Sequence, residues 1–172
     1  YKEGHVSREI VELFDVMATS LELAGIEARH THFARSLTPQ LRGEPGDAAR
    51  AAFCEGGYNT NEPQLFEPDL PASQAAQIYY PKLHLQNQHP ETITRATGIR
   101  TRDYRLVRRP DGVSELYDLK KDPRELENVY PDRAYASVRE TLHAQMLDWY
   151  VRTADVAPKQ RDARGFPPVQ GG

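Results

Sequence analysis

Cysteine is nearly absent: Cys54 is the only one in 172 residues, which excludes an internal disulfide and a cage of thiolates around a metal. Long apolar runs are missing as well. None approaches the roughly 20 residues needed to cross a bilayer, and no basic-then-apolar leader opens the chain. The sequence reads as soluble and not membrane-bound, with its compartment left open. Charge of one sign is also lacking, since 22 Lys and Arg stand against 25 Asp and Glu for a formal charge of -3. With the two signs mixed along the chain, there is no electrostatic reason to expect nucleic acid or an anionic membrane as a partner. Internal repeats are absent too. The chain opens at Tyr1 without a methionine and soon enters a patterned segment, so a fragment or a processed chain is expected.

What is present suits one globular domain, with 38% hydrophobic and 27% charged residues. Ile10, Leu13, Phe14, Met17, Leu21 and Ala24 recur at steps of three and four, which predicts one apolar face of a helix over 8–24. Ser7 is placed to cap its start and Gly25 to end it. The stretch ARSLTPQLRGEPGD is punctuated by Pro and Gly and reads as a loop with a short helical turn. Ala51 to Cys54 reads as a buried strand that delivers Glu55 and Tyr58 to its mouth, with Cys54 a buried structural thiol. Between Asn59 and Pro90, five prolines among many amides predict a long ordered loop with one short helix near 73–78. Strands over 99–108 and 113–119 flank Arg-Pro-Asp-Gly, where proline presets the first turn angle and glycine takes a positive φ. The following Asp-Pro-Arg-Glu predicts a short helix, with Asp122 as cap, Pro123 in the first turn and Glu125 closing a capping box. A last helix is expected over 133–152, with Val138, Leu142, Met146 or Leu147, and Trp149 or Tyr150 at helical spacing. Residues 157–172 read as an extended or disordered tail.

Three segments carry a resemblance. FDVMATSLELAGI has an aspartate, a threonine and a terminal Ala-Gly at Asp15, Thr19, Ala24 and Gly25. ARSLTPQLRG supplies Ser36, Leu37, Leu41 and Gly43. IRTRDYRLVRRPDGVSELYDLKKDPRELENV supplies Tyr104, Arg105, Leu106, the run Glu115 to Leu119, Asp122, Pro123, Glu125 and Asn128. In this order they resemble the C-terminal segment of type I sulfatases of the alkaline phosphatase superfamily. Two positions depart from that pattern, Ala18 where the family has proline and Ala34 where it has glycine. The resemblance implies an α+β fold: a small antiparallel sheet of about four strands, packed with an N-terminal and a C-terminal helix. It also implies a division into residues 1–156 as the C-terminal subdomain, with 8–24 as the last helix of a preceding catalytic region, and 157–172 as the tail.

Sulfate ester hydrolysis needs a nucleophile, a divalent cation and groups that neutralise the leaving oxygen. The resemblance implies a formylglycine made within C/S-x-P-x-R and a calcium ion, both in an N-terminal catalytic domain that would be this chain's partner. Neither motif occurs in this sequence. Cys54 is followed by Glu-Gly-Gly-Tyr, so no catalytic residue and no metal ligand is expected here. Asp15 is expected to be a helix acid ordered by neighbouring donors, because one carboxylate cannot build an oxygen cage for calcium. The residues expected to touch substrate, a sulfated small molecule or glycan, are Glu55, Tyr58 and Asn59 after the strand, and Lys82, His84 and His89 in YYPKLHLQNQH. Lys82 suits a sulfate or carboxylate, and the histidines suit a sugar hydroxyl or a leaving oxygen. The His30 to His32 triplet reads as a solvated loop. Three functions fit: part of a sulfatase, part of a phosphonate monoester or phosphodiester hydrolase on the same scaffold, or a free-standing binding domain.

Overall fold

In the computed structural model, which describes residues 1–59, 61–62 and 69–154, the alternation around the Arg-Pro-Asp-Gly turn becomes the centre of a four-stranded antiparallel sheet. The strands are β1 (Ala52–Gly56), β2 (Ala96–Arg100), β3 (Tyr104–Arg108) and β4 (Glu115–Asp118), in that spatial order. With helices α1 (Asp15–Ala24), α2 (Thr38–Leu41), α3 (Tyr80–Gln88) and α4 (Ala136–Thr153), the fold is α+β, as expected. The chain divides into two compact units, Phe53–Leu142 and Tyr1–Ala52 with the stretch from His143. The tail expected at 157–172 lies outside the described residues.

In the first of these units Ile99 pairs with Leu106, and Leu106 with Leu116. All three are fully buried, each contributing about 1.5–3 kcal/mol of apolar burial. The strand expected over 99–108 is in fact two. Tyr104 N–H donates to Thr101 Oγ1 at 3.0 Å and Thr101 N–H to the Tyr104 carbonyl at 2.8 Å, so the chain reverses over Arg102 and Asp103. After Arg-Pro-Asp-Gly, Gly112 is not in the left-handed region. Its missing Cβ instead leaves room for Thr94 Oγ1 and the Arg109 side chain.

The helix expected at Asp-Pro-Arg-Glu does not form. Asp122 Oδ2 accepts the N–H groups of Leu126 and Glu127 at 2.6 and 2.8 Å, and Glu125 takes φ 57°, a left-handed conformation that stops a helix. The segment becomes a strap along β4. Asn128 Oδ1 accepts Leu116 N–H at 3.0 Å, its Nδ2 donates to the Ser114 carbonyl at 3.1 Å, and Val129 N–H reaches the Leu116 carbonyl at 2.9 Å. These bonds satisfy backbone that an edge strand leaves open.

The loop expected through Pro90 contains α3, which the prolines concealed. Pro81 sits in its first turn, where its missing N–H costs nothing. The short helix expected near 73–78 is a 3-10 turn at Ala72–Gln74. The last helix starts where expected: a 3-10 turn at Arg133–Tyr135, capped by Asp132 Oδ1 on Ala134 N–H, runs into α4. Leu142 and Met146 are its buried positions, while Leu147 is exposed.

Residues 1–52 depart further from expectation. Helix α1 begins at Asp15, seven residues later than its pattern predicts, because Asp15 Oδ2 accepts Glu12 N–H at 2.8 Å and so fixes the first turn there. Ser7 Oγ accepts Glu9 N–H instead of capping a helix. Gly25 closes α1 with φ 67°, as expected, and Ile26 N–H returns to the Leu21 carbonyl at 2.9 Å. The buried face is Asp15, Ala18 and Thr19, whereas Leu13 is 90% and Phe14 42% exposed. The helix is held by polar contacts on the face beside its apolar stripe. Thr19 Oγ1 accepts Leu37 N–H at 2.8 Å, and Thr38 Oγ1 donates to Glu22 Oε1 at 2.6 Å. Bonds from the Ser36 and Thr38 hydroxyls hold the Glu22 carboxyl below its ordinary range.

Candidate functional site

Alternation along β3 puts Leu106 on the core face and Arg105 and Val107 on the other. Register adds the rest of that second face: Gly98 lies opposite Val107, Tyr117 opposite Arg105 and Glu115 opposite Val107. The floor here is small. A Cβ at Gly98 would come within 2.8 Å of Cys54 Sγ, so only glycine lets β1 and β2 approach in this way. Over this floor opens a cleft of about 320 Å³, bounded by Lys82 and Gln86 of α3, Glu55 of β1 and Tyr58 after it, and Arg105 and Arg109.

Of the six residues expected at substrate, Glu55, Tyr58 and Lys82 meet in this cleft. The other three are not among its lining. Asn59 Nδ2 donates to Glu62 Oε1 at 2.9 Å, and its Oδ1 accepts Asn61 N–H at 3.1 Å, which is a turn. His84 lies half a turn around α3 from Lys82 and Gln86. Its Nδ1 is 3.1 Å from Asp69 Oδ2, its Nε2 is 2.9 Å from Gln88 Nε2, and its ring stacks on Tyr80 at 5.4 Å. His89, at the end of α3, has Nδ1 3.1 Å from Glu91 Oε1. Cys54, expected to be buried, is exposed and lines the cleft, because the small β2 residues beside it leave its face uncovered.

Arg105 and Arg109 escaped the sequence reading because they were absorbed into the hairpin motif. The signal was available: Arg105 in the strand and Arg109 just past its end, four residues apart, fall on one side by strand alternation. Both guanidinium groups are ion-paired. Arg105 Nη1 donates to Glu125 and Arg109 Nη1 to Glu115, while Glu125 also takes Arg100 at 2.8 Å. Nε of Arg109 is buried with no hydrogen-bond partner among the described residues. Tyr117 closes the row: burial, and then its 2.8 Å bond to Glu115, push its hydroxyl up to about 12.

Elsewhere the acids serve structure. Asp15 is wholly buried, takes Arg35 N–H at 2.8 Å and pairs with Arg50 at 2.7 Å. It is therefore a helix acid ordered by donors, as its isolation in the sequence suggested. Asp118 in ELYDL accepts the Tyr135 hydroxyl at 3.1 Å and the N–H groups of Lys120 and Lys121. Burial raises its pKa, but the bonds from Tyr135 and Lys121 outweigh that and hold it below the usual carboxylate range. His30 and His32 meet edge to face at 6.0 Å. Among the described residues no three or more His, Cys, Asp or Glu gather where a metal ion could sit. No helix among the described residues is long and apolar enough to cross a membrane.

Comparison with known proteins bears on the same segments. The chain is 27% identical over 166 residues to an N-acetylglucosamine-6-O-sulfatase of Bacteroides thetaiotaomicron, covering 94% of this chain and 25% of that protein. It is 25% identical over 160 residues to an ulvan-active sulfatase of Formosa agariphila, covering 90% and 32% respectively. The fold is shared with a phosphonate monoester hydrolase from Silicibacter pomeroyi, at a TM-score of 0.64 and 24% identity over 98% of this chain and 31% of that one. The chain thus spans about a quarter to a third of the length of these relatives. Residues 64–152, more than half of the chain and including α3, strands β2 to β4 and nearly all of α4, match the family described as N-sulphoglucosamine sulphohydrolase, C-terminal, and the chain belongs to that sulfatase C-terminal family.

Proposed function

We propose that this chain is the C-terminal part of a sulfuric ester hydrolase, where it completes the fold and lines the substrate pocket, and that it is inactive alone. The observation that carries the reading is the match of residues 64–152 to the sulfatase C-terminal family. Two features of the molecule agree with it. The motif residues Asn128, Asp118 and Asp122 hold backbone in place, so they build a scaffold and leave the chemistry to residues elsewhere. Leu13, Val16, Leu23 and Ile26 on and beside α1 are exposed, an apolar surface suited to a catalytic domain as its partner.

In this reading Glu55, Tyr58 and Lys82 touch the group that carries the sulfate ester, a small molecule or a glycan. The nucleophile and calcium belong to the catalytic domain. Asn59, His84 and His89, outside that cleft, touch parts of the ligand beyond it. A phosphonate monoester or phosphodiester substrate is the alternative on the same scaffold.

The test gives the full-length gene product and the isolated 172-residue chain an aryl sulfate, and in parallel an aryl phosphonate monoester, with calcium present. The reading expects sulfate release by the full-length protein and none above blank by the isolated chain. Turnover by the isolated chain, or full-length turnover of the phosphonate alone, overturns it.

A further inference from the structure

The turn Arg-Pro-Asp-Gly contains the only Asp-Gly or Asn-Gly pair in the sequence, and the fold leaves that pair untethered. Asp111 is exposed at the tip between β3 and β4. Among the described residues its carboxylate has no hydrogen bond and no ion pair, and the Gly112 N–H has no acceptor. Other described aspartates are held. Asp47 Oδ1 accepts Ala49 N–H at 2.9 Å, Asp103 Oδ2 takes Lys120 Nζ at 2.7 Å, and Asp118, Asp122 and Asp132 each accept backbone N–H groups. Asp148 lies within α4, where the next N–H belongs to the helix ladder.

The two untethered groups at Asp111 and Gly112 are the reactants of a ring closure. The Gly112 nitrogen attacks Asp111 Cγ, a C–N bond forms, a Cγ–O bond breaks, and the amide proton leaves with the hydroxyl as water. The product is a cyclic succinimide. Glycine favours this step because it has no Cβ to shield the attacking nitrogen. Water then opens the ring. Addition at the Asp111 main-chain carbonyl breaks its bond to nitrogen and leaves an isoaspartyl link through Cβ and Cγ, whereas addition at Cγ restores aspartate. One water is lost and one is gained, so the mass is unchanged and no oxidant is needed.

An isoaspartyl link lengthens the main chain by one methylene in a turn that has no slack. A Cβ on Gly112 would come within 2.9 Å of Thr94 Oγ1 and 3.3 Å of Arg109 Cδ, and Ser114 Oγ accepts Arg109 N–H at 3.1 Å across the same turn. The added atom pushes Gly112 out of that space and draws Ser114 away from Arg109.

We infer that Asp111 is a modification site, where aspartate converts to isoaspartate through a succinimide with Gly112 and loosens the closed end of the β3 to β4 hairpin. Neither the substrate nor the catalytic domain enters this chemistry.

Full-length gene product is held folded at neutral pH and physiological temperature in heavy-oxygen water, then digested in ordinary water. Isoaspartate is located by electron-transfer fragmentation of the peptides. The peptide containing Asp111 should gain isoaspartate, with one heavy oxygen incorporated, several-fold faster than those containing Asp47 or Asp103. Asp111→Glu, which would need a larger ring, should remove the signal. Asp111→Asn, which releases ammonia in place of water, should raise it several-fold. Both substitutions fall on an exposed turn position that makes no contact the fold depends on. In the isomerised fraction, separated by ion exchange, hydrogen exchange at the Arg109 N–H should be several-fold faster than in the unmodified fraction. No isoaspartate at position 111, a rate no greater than at Asp47 or Asp103, a signal that survives Asp111→Glu, no acceleration in Asp111→Asn, or equal Arg109 exchange in the two fractions overturns the inference.

Discussion

The sheet unit and residues 1–52 are stabilised in opposite ways. In the sheet, Ile99, Leu106 and Leu116 are inside and fully buried; in 1–52, the large side chain that is fully buried is Asp15, while Leu13, Phe14 and Val16 face outward. A sheet that buries its own apolar face meets its core requirement locally. A helix whose acid is fully buried while Val16 and Leu23 stay exposed is positioned largely by hydrogen bonds. The difference teaches that hydropathy alone does not tell an apolar pattern that will be buried from one that stays exposed.

The sharpest way to break the comparison is Asp15→Ala. It removes the acceptor of the Glu12 and Arg35 N–H groups and one of the two carboxylates on Arg50, whose side chain is 5% exposed and keeps Glu12 at 3.1 Å, a loss of about 3–5 kcal/mol. Hydrogen exchange should show loss of protection in α1, and unchanged protection there would refute the polar anchoring of this region. Next comes Leu106→Ala in the sheet, expected to cost about 2–5 kcal/mol by denaturant melt; a loss below 1 kcal/mol would mean the sheet is not the core.

Asn128→Ala should cost about 1–3 kcal/mol, because Leu116 N–H and the Ser114 carbonyl lose their partner. Exchange at β4 should rise before exchange at β2. The smallest effect is expected from Leu13→Ser, within about 0.5 kcal/mol in the isolated chain, since Leu13 is 90% exposed. In the full-length protein the same change should cost more, and an equal effect in both contexts would remove the docking role.

A titration sharpens the cleft side of the comparison. Tyr117 has its folded pKa raised to about 12 from 10.0. The neutral form is therefore favoured by folding, and this stabilisation is complete below pH 10 and lost as pH rises toward 12. Tyrosinate absorbance should show one late-titrating group that Tyr117→Phe removes. Asp118 runs the other way. Its folded pKa lies below the ordinary 3.8, so its contribution is present above pH 3.8 and lost as pH falls through the folded value.

Much was legible without coordinates. The turn at Arg-Pro-Asp-Gly, the end of α1 at Gly25, the last helix and the structural role of Asp15 follow from local chemistry: a fixed proline φ, a permissive glycine, a 3.6-residue period and a lone carboxylate. Three of the six residues expected at substrate, Glu55, Tyr58 and Lys82, share the cleft. What misled was mostly local chemistry with two outcomes. Asp122 and Pro123 suit a helix start equally as well as a strap, and Pro81 suits a helix start equally as well as a loop.

The sequence by itself determined the family, through motifs kept in order, and the periods that make strands and helices. Tertiary structure decided which face of each element is inside. Asp15 finds Arg35 and Arg50, Asn128 finds β4, and Arg105 and Arg109 find the cleft. Those partners lie 12 or more residues away, or on a neighbouring strand, and a repeating pattern along the chain specifies a face without specifying what will cover it.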